Sequence, residues 1–279
     1  MTASRAVEPA PLTVQSAGGV AVVTLNRPSA RNALSTALLH ALGRAMADAD
    51  AADDVGVIVL TGADPAFCAG LDLKEMAAGG GNLGLGASPD GQQAAAPWSP
   101  TAKPVIASVN GVAVTGGLEL VLHCDIVIAS ERAAFADTHA RVGVMPGWGM
   151  SVLLPLAVGP RVARQMSLTG DYLTAEQALR FGLVSEVVAH DELPVRTRVL
   201  ATTIAGNNRT AVRALLATYR RIDADRNAQG LRTEAAASRA WLDQEFDAVA
   251  VAKARTAVMD RGRGQPGAGP LPGGGGRQD

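Results

Sequence analysis

A pair of glycines followed by a glutamate, Gly116-Gly117-Leu118-Glu119, is the most chemically informative stretch of the sequence. A helix is predicted to begin at the glycine pair, because an extended apolar run precedes it and helical spacing continues to His123. The first N–H groups of a helix have no partner within it and carry partial positive charge. A glycine lets a polarised carbonyl oxygen come close to these groups. The pattern therefore predicts one half of an oxyanion hole.

Glu119 lies in the first turn of this predicted helix, among apolar neighbours. An exposed acid there would complement the helix dipole, which is a common structural role. A buried carboxylate, in contrast, is costly unless it is paired or used in chemistry. The apolar residues on nearly all sides favour burial. Glu119 is therefore a candidate acid/base group as well as a candidate structural acid.

A second helix start after a glycine is predicted in residues 61–76, where Gly70 allows a tight turn just before Leu71. Two separate segments of the chain thus offer backbone N–H groups beside a glycine. No nucleophile elbow, phosphate-binding loop or metal-spaced cluster occurs. The run His123-Cys124-Asp125 is sequential, so its side chains point in different directions and core packing is predicted for it.

The composition bounds the classes of function. The chain has 279 residues, 48% of them hydrophobic, which is ample for a core. A net charge of -1 and an aromatic content of 3% give no argument for nucleic acid or an anionic membrane. Cys68 and Cys124 form no CxxC motif, which favours a reducing compartment. Without an apolar leader or membrane-length span, a cytoplasmic protein without membrane insertion is predicted.

The elements that must position the glycines follow a strand, helix, strand order, with strands at 20–25 and 55–60 and a helix at 35–50. Ser35 is the predicted N-cap of this helix. This order predicts a parallel α/β arrangement. Residues 79–104 and 135–149 are predicted loops. Thr174 and Gln177 resemble a capping box. Further helices are predicted at residues 161–168, 175–181, 193–205, 211–222 and 232–261, and a strand at 183–188.

The ordered motifs between residues 20 and 188 resemble the crotonase superfamily, that is, the enoyl-CoA hydratases and isomerases. The resemblance is carried by the following segments of the sequence: Asn26-Arg27-Pro28, Asn32-Ala33-Leu34, Ala66-Phe67-Cys68-Ala69-Gly70-Leu71-Asp72-Leu73, Val109-Asn110-Gly111, Gly116-Gly117-Leu118-Glu119-Leu120, Cys124-Asp125, and Leu168-Thr169-Gly170 through Ala175, Ala178, Gly182, Leu183 and Val184. The ordered set is far more specific than any single motif.

The resemblance implies an α/β fold, a crotonase-like spiral of ββα units with a helical C-terminal region that builds a trimer, commonly paired into a hexamer. It divides the chain into a spiral core with the CoA-thioester site at 1–195 and a helical region at 196–261. The low-complexity composition of residues 262–279 predicts a disordered tail. The implied partners are an acyl- or enoyl-CoA substrate and further copies of the chain. No metal and no separate cofactor are expected, because coenzyme A is part of the substrate.

The resemblance also implies the roles of individual residues. The oxyanion hole of the family is made by two backbone N–H groups, which fall here on Leu71 and Gly116. Two such donors stabilise the enolate that forms on the thioester. The arginines of the implied CoA site can meet phosphates, with a solvated surface as the alternative. Coenzyme A is expected near Arg27, Ala30, Arg31, Ala33, Ala69, Gly70, Asp72 and Gly117.

Hydratases of the family use two glutamates, and Glu119 occupies the position of the first, which orients water for addition to C3. His139 aligns with the second and is a departure from the pattern. A histidine can exchange a proton with C2 or water near neutral pH. Asp137, Thr138 and Arg141 are close enough to substitute for His139 or to orient it. The alternative is a loop histidine without a chemical role.

These residues predict a fatty-acid-metabolising hydro-lyase that adds water across the 2,3 double bond of an enoyl-CoA, with Glu119 as acid/base. Two alternatives stay open: an enoyl-CoA double-bond isomerase, which needs one base, and a non-catalytic acyl-CoA binding protein. Residues 79–104 and 145–150 are expected to shape the acyl pocket. The sequence leaves open whether Trp98 and Trp148 line that pocket or pack in the core.

Overall fold

The computed structural model describes residues 10–78, 82 and 96–263. Its strands are short and rich in β-branched and small apolar residues, which suits closely packed sheets. The strands are β1 (Leu12–Ala17), β2 (Val20–Leu25), β3 (Val57–Gly62), β4 (Ala66–Cys68), β5 (Val105–Val109), β6 (Val112–Val114), β7 (Ile126–Ser130), β8 (Ala134–Ala136), β9 (Tyr172–Thr174) and β10 (Glu186–Val188).

The helices divide into short ones between the strands and long ones at the C-terminal end. They are α1 (Thr36–Ala51), α2 (Leu73–Ala77), α3 (Gly116–Leu122), α4 (His139–Val142), α5 (Met150–Val158), α6 (Pro160–Thr169), α7 (Ala175–Phe181), α8 (Leu193–Ala205), α9 (Arg209–Gln244) and α10 (Ala248–Arg263). The predicted caps of two helices are confirmed. Ser35 accepts a hydrogen bond from the Leu38 amide at the start of α1, and Thr174 and Gln177 form the capping box of α7.

Two sheets alternate along the chain. A six-stranded sheet has the order β1-β2-β3-β5-β7-β10, and a four-stranded sheet has the order β4-β6-β8-β9. β2 and β3 pair in parallel, as the strand, helix, strand order predicts. The consecutive units β3-β4-α2, β5-β6-α3 and β7-β8-α4 each contribute one strand to each sheet and then a helix. The predicted spiral of ββα units is confirmed.

The four-stranded sheet brings the two glycine-containing segments together. β4 and β6 are parallel neighbours, so the chain leaves both strands at the same edge of the sheet. α2 and α3 follow at that edge. Gly117 makes the close approach possible, because a Cβ there would lie 2.1 Å from the carbonyl oxygen of Cys68. Its lack of a side chain is a packing requirement of α3 against β4.

Four sequence predictions about elements are wrong. The helix predicted at 232–261 is interrupted at residues 245–247, between α9 and α10. α2 begins at Leu73 with Asp72 as its N-cap, so Leu71 precedes the helix. The predicted loop at 135–149 contains β8 and α4. The predicted break between residues 222 and 232 is absent from α9, a single helix of 36 residues. One glycine costs only about 1 kcal/mol in a helix, and Gly230 lets α9 approach Val152, which a Cβ would meet at 2.9 Å.

Residues 79–81 and 83–95 of the predicted loop at 79–104, and residues 264–279 of the predicted tail, lie outside the described residues. Residues 262 and 263 end α10. Among the helices of the described ranges, none has both the length and the apolar composition needed to cross a bilayer.

Candidate active site

The backbone around Leu71 is fixed by a bridge to Leu34. The Leu34 amide donates to the Gly70 carbonyl at 2.8 Å, and the Asp72 amide donates to the Leu34 carbonyl at 3.0 Å. In a parallel bridge these two bonds flank the central residue, whose own N–H points the other way. The Leu71 amide is therefore directed away from Leu34.

The Leu71 and Gly116 amides lie next to each other. A Cβ built on Gly116 would be 3.5 Å from the Leu71 nitrogen, and a Cβ built on Gly70 would be 3.3 Å from the Gly116 nitrogen. Gly70 has φ +87°, and a side chain there would also meet the Val114 carbonyl at 2.8 Å. Within the described ranges neither amide donates a hydrogen bond to another protein group. The two donors can therefore share one acceptor oxygen.

Thr115, immediately before α3, has a strained backbone. Its φ of 55° and ψ of -111° lie where a β-branched residue is a rare outlier. The Thr115 Oγ1 atom lies 2.5 Å from Thr138 Oγ1 and accepts a hydrogen bond from the Thr138 amide at 3.2 Å. These bonds join the turn that presents the Gly116 amide to the segment that carries His139.

Glu119 points inward from the first turn of α3. The residue is 3% exposed, so the structural alternative of a solvent-exposed helix-capping acid does not hold. Its Oε1 atom accepts a hydrogen bond from the Trp148 amide at 2.9 Å. Burial raises the pKa of Glu119 to about 7, although the nearby His139 and the Trp148 amide act in the opposite direction.

His139 lies beside Glu119 at the start of α4. Its Nε2 atom is 3.8 Å from Glu119 Oε2, and its Nδ1 atom is 2.6 Å from Asp137 Oδ1. Burial lowers the pKa of His139, but the hydrogen bond and charge of Asp137, with the charge of Glu119, outweigh burial and raise it. For Asp137 the directions are opposite: burial raises its pKa, but the hydrogen bond and charge of His139 outweigh burial and lower it. Asp137 thus orients the imidazole, and Nε2 is left facing Glu119.

Glu119 and His139 line a cavity of about 70 Å³ together with Leu71. The residues of its wall that carry the argument are Ala69, Leu71, Thr115, Glu119, His139 and Trp148. Trp148 therefore lines the cavity, whereas Trp98 is buried and packs edge to face on His123 with ring centroids 6.2 Å apart. His123 also lies 2.7 Å from the Trp148 carbonyl oxygen through Nε2, which agrees with its predicted packing role.

The segments expected to meet coenzyme A are adjacent in the fold. The Ala69 amide donates to the Arg31 carbonyl at 3.0 Å, and the Arg27 guanidinium is 3.0 Å from the Asp72 carboxylate. The segment from Arg27 to Ala33 therefore lies along the segment from Ala69 to Asp72. Contact of these residues, and of Gly117, with coenzyme A stays a prediction.

Sequence reasoning missed two groups, one that binds Glu119 and one that binds the turn next to it. The Trp148 amide contacts a residue 29 positions away, and no side-chain pattern marks a backbone donor. Glu234 of α9 is buried and accepts hydrogen bonds from the amides of Gly149 and Ser151. Its neighbours Ala235, Ala236 and Ala237 are small, which was the one local sign of close packing. In the described part of the chain no group of three His, Cys, Asp or Glu can hold a metal ion.

The chain is similar to known proteins over most of its length. The family model for enoyl-CoA hydratase/isomerase matches residues 15–253. A probable peroxisomal enoyl-CoA hydratase 1 of Arabidopsis thaliana is 40% identical over 195 residues, covering 70% of this chain and 72% of the relative. The (E)-benzylidenesuccinyl-CoA hydratase of Thauera aromatica is 40% identical over 205 residues, 73% of this chain and 80% of the relative.

A solved structure is similar over most of the chain. The enoyl-CoA hydratase from Mycobacterium tuberculosis H37Rv is 55% identical, with a TM-score of 0.77, and the match covers 84% of this chain and all of that one. The family model and both curated relatives span well over half of the sequence. The chain belongs to the enoyl-CoA hydratase/isomerase family of the crotonase superfamily.

Proposed function

We propose that the protein is an enoyl-CoA hydratase, a lyase that adds water across the 2,3 double bond of an enoyl-CoA thioester. The observation that carries this proposal is one cavity lined by Leu71, a buried carboxylate and an oriented imidazole. Among the described residues the Leu71 amide has no protein acceptor. The relatives and the solved structure described above carry hydratase names. Fatty-acid metabolism is the proposed context.

The first step is polarisation of the thioester. The oxygen accepts hydrogen bonds from the amides of Leu71 and Gly116, and it gains negative charge when C3 is attacked. Donors held in place before the reaction stabilise this charge without reorganisation, and removal of one typically costs about 3 to 4 kcal/mol. The adjacency of the two nitrogens supports this assignment.

Glu119 is the proposed base for water. Its carboxylate takes one proton from water while the oxygen forms a bond to C3, and the π electrons move to C2 and the thioester oxygen. A pKa of about 7 suits this role, because the group is largely ionised at slightly alkaline pH yet basic enough to take the proton. The Trp148 amide keeps Oε1 in place.

His139 is the proposed acid for C2. As an imidazolium it gives its Nε2 proton to C2, the enolate electrons form the C–H bond, and the thioester carbonyl is restored. The proton held by Glu119 then returns to Nε2, which lies 3.8 Å from the carboxylate. The raised pKa of His139, which comes mainly from Asp137, keeps the imidazolium available near neutral pH.

This chemistry moves protons and one water molecule and transfers no electrons between molecules. We therefore propose no cofactor beyond the coenzyme A of the substrate. Both cysteines are thiols rather than a disulfide, which supports the proposed cytoplasmic setting.

A homotrimer, or a dimer of trimers, is the proposed assembly. Large apolar side chains at positions 215, 219 and 222 of α9 are 57% to 68% exposed. They follow the spacing of one helix face, so they form a stripe typical of an interface. We call Leu215, Tyr219 and Ile222 the α9 stripe.

The test supplies 2-enoyl-CoA and 3-enoyl-CoA thioesters separately, over several chain lengths, and measures product mass in ¹⁸O-labelled water. A hydratase incorporates labelled oxygen from the 2-enoyl substrate. In Glu119→Gln the turnover number should fall about 100- to 10,000-fold, the range of general acid–base groups. The Glu131→Gln variant, at an exposed position, is the control.

Two outcomes contradict the proposal. Conversion of 3-enoyl-CoA to 2-enoyl-CoA without label would indicate an isomerase. Micromolar binding of acyl-CoA without turnover of any thioester would indicate a binding protein.

A further inference from the structure

Glu234 is a buried carboxylate that takes no part in the chemistry proposed above. It lies on α9 and is 5% exposed. Its Oε1 atom accepts a hydrogen bond from the Gly149 amide at 2.6 Å, and its Oε2 atom accepts one from the Ser151 amide at 2.5 Å. Both oxygens are therefore engaged by the first turn of α5, where helix N–H groups have no helical partner.

The chain just before α5 connects this contact to the cavity. Gly149 follows Trp148, whose amide donates to Glu119 Oε1. Gly149 has φ +89°, and a side chain there would meet Leu153 at 3.1 Å and Leu231 at 3.2 Å. The turn is thus pressed between α5 and α9 and has little freedom. A carboxylate 85 positions further along the chain thus binds the peptide unit next to the one that donates to Glu119.

The arrangement also concentrates negative charge. Glu119 faces His139, Asp137 and Glu234, and His139 faces Asp137, Glu119 and Glu234. Burial is the main cause of the raised pKa of Glu119, and the charge of Glu234 adds to it. Asp137 is the main cause of the raised pKa of His139, and the charge of Glu234 acts in the same direction.

We propose that Glu234 is a positioning residue for the Glu119 carboxylate, acting through the backbone of Trp148 and Gly149. The proposal rests on the proposed hydratase function. A helix cap with no effect on the reaction is the alternative, because a carboxylate at a helix start stabilises it in any case.

The experiment compares Glu234→Gln and Glu234→Asp with Asp225→Asn, which removes an exposed charge from the same helix. Turnover of a short 2-enoyl-CoA is measured from pH 5 to 10. In Glu234→Gln the turnover number should fall about 10-fold or more with little change in KM, because the loss concerns the transition state. Both limbs of the pH profile should move to lower pH, since removal of the charge makes Glu119 more acidic and His139 less basic.

Glu234→Asp keeps the charge but draws it back by one methylene group. Its turnover number should fall while the limbs of the pH profile stay in place, which separates geometry from charge. This variant decides the question if Glu234→Gln does not fold. A cap without catalytic effect predicts a lower melting temperature with the turnover number and pH profile of the wild type, and that result would overturn the proposal.

A second readout does not depend on turnover. Nuclear magnetic resonance of labelled histidine follows the titration of His139, assigned by its loss in His139→Gln. The pKa of His139 should fall in Glu234→Gln and stay unchanged in Asp225→Asn. An unchanged His139 titration together with an unchanged turnover number in Glu234→Gln would contradict the proposal. If the wild-type protein hydrates no thioester while the pKa of His139 still falls in Glu234→Gln, the hydratase function is refuted instead.

Discussion

Glu119 and His139 form a buried pair in which each residue binds a proton more readily than it would in water. In the proposed mechanism, their proximity lets one site take a proton from water and give one to carbon. The same environment makes the ionised carboxylate costly, because the charge is removed from solvent. Catalytic groups are often held at a cost in stability.

Glu119→Gln should therefore stabilise the protein while abolishing turnover. The folded-state pKa of Glu119 is raised from 4.5 to about 7, so the folded protein binds more protons than the unfolded chain between these values. Stability consequently falls as pH rises through that window. At pH 8 the variant should gain about 3 kcal/mol in free energy of unfolding, and the gain should vanish below about pH 4.5.

Denaturant titration at both pH values measures this effect. Glu131→Gln, at an exposed position, should show no such difference. A Glu119→Gln protein that is less stable than the wild type at pH 8 would contradict the cost assigned to the buried carboxylate.

Asp137→Asn should move the alkaline limb of activity to lower pH. Asp137 raises the pKa of His139 through its hydrogen bond and charge, so its neutral amide leaves an imidazole that loses its proton earlier as pH rises. The turnover number at pH 8 should fall about 10- to 100-fold. A pH profile of kcat/KM measures the shift. Asp171→Asn removes a more exposed carboxylate, the partner of Arg141, and should leave the limb unchanged.

At the scale of elements, the spiral places the starts of α2 and α3 side by side because β4 and β6 are neighbours. The amides of Leu71 and Gly116 then converge without any specific side chain at either position. Thr115 lowers the stability of this arrangement, because its positive φ is a backbone conformation that suits glycine. Its hydroxyl contact with Thr138 offsets part of the strain.

The strain at Thr115 predicts that glycine is more stable than alanine at this position, the reverse of their order inside a helix. Thr115→Gly should be more stable than Thr115→Ala by about 1 kcal/mol, because both lose the hydroxyl but only glycine relieves the positive φ. Thr203 is exposed in α8. There the alanine variant should instead be more stable than the glycine variant by about 1 kcal/mol. Thermal unfolding of the four variants gives both comparisons, and the same order at the two sites would refute strain at Thr115.

Across the whole molecule, the sequence predicted the features that depend only on residues close together in the chain. The caps at Ser35 and Thr174 and the glycine before Leu71 needed only neighbouring residues to be recognised. The contact of Glu234 with Gly149 joins positions 85 residues apart, and nothing in either segment alone specifies it. α9 was predicted as two helices because the packing of Gly230 on Val152 is invisible in a sequence.

Association of the chain should depend on the α9 stripe. Leu215→Glu combined with Tyr219→Glu places two charges on the exposed apolar face, so burial of that face becomes unfavourable. Light scattering should give a trimer or hexamer mass for the wild type and a monomer mass for the double variant. Ala217→Glu, on the opposite side of α9, should keep the wild-type mass. An unchanged mass of the double variant would show that the α9 stripe is not part of the interface.

α9 has 36 residues, which corresponds to a rod of about 54 Å. Its N-terminal half carries the α9 stripe, and its C-terminal half carries Glu234. The helix that holds the turn before α5 is thus the one whose other half carries the proposed subunit interface. Specific activity should therefore fall on dilution, at concentrations where the subunits separate. In a separated subunit α9 has no neighbouring copy beside it and fixes the turn before α5 less rigidly.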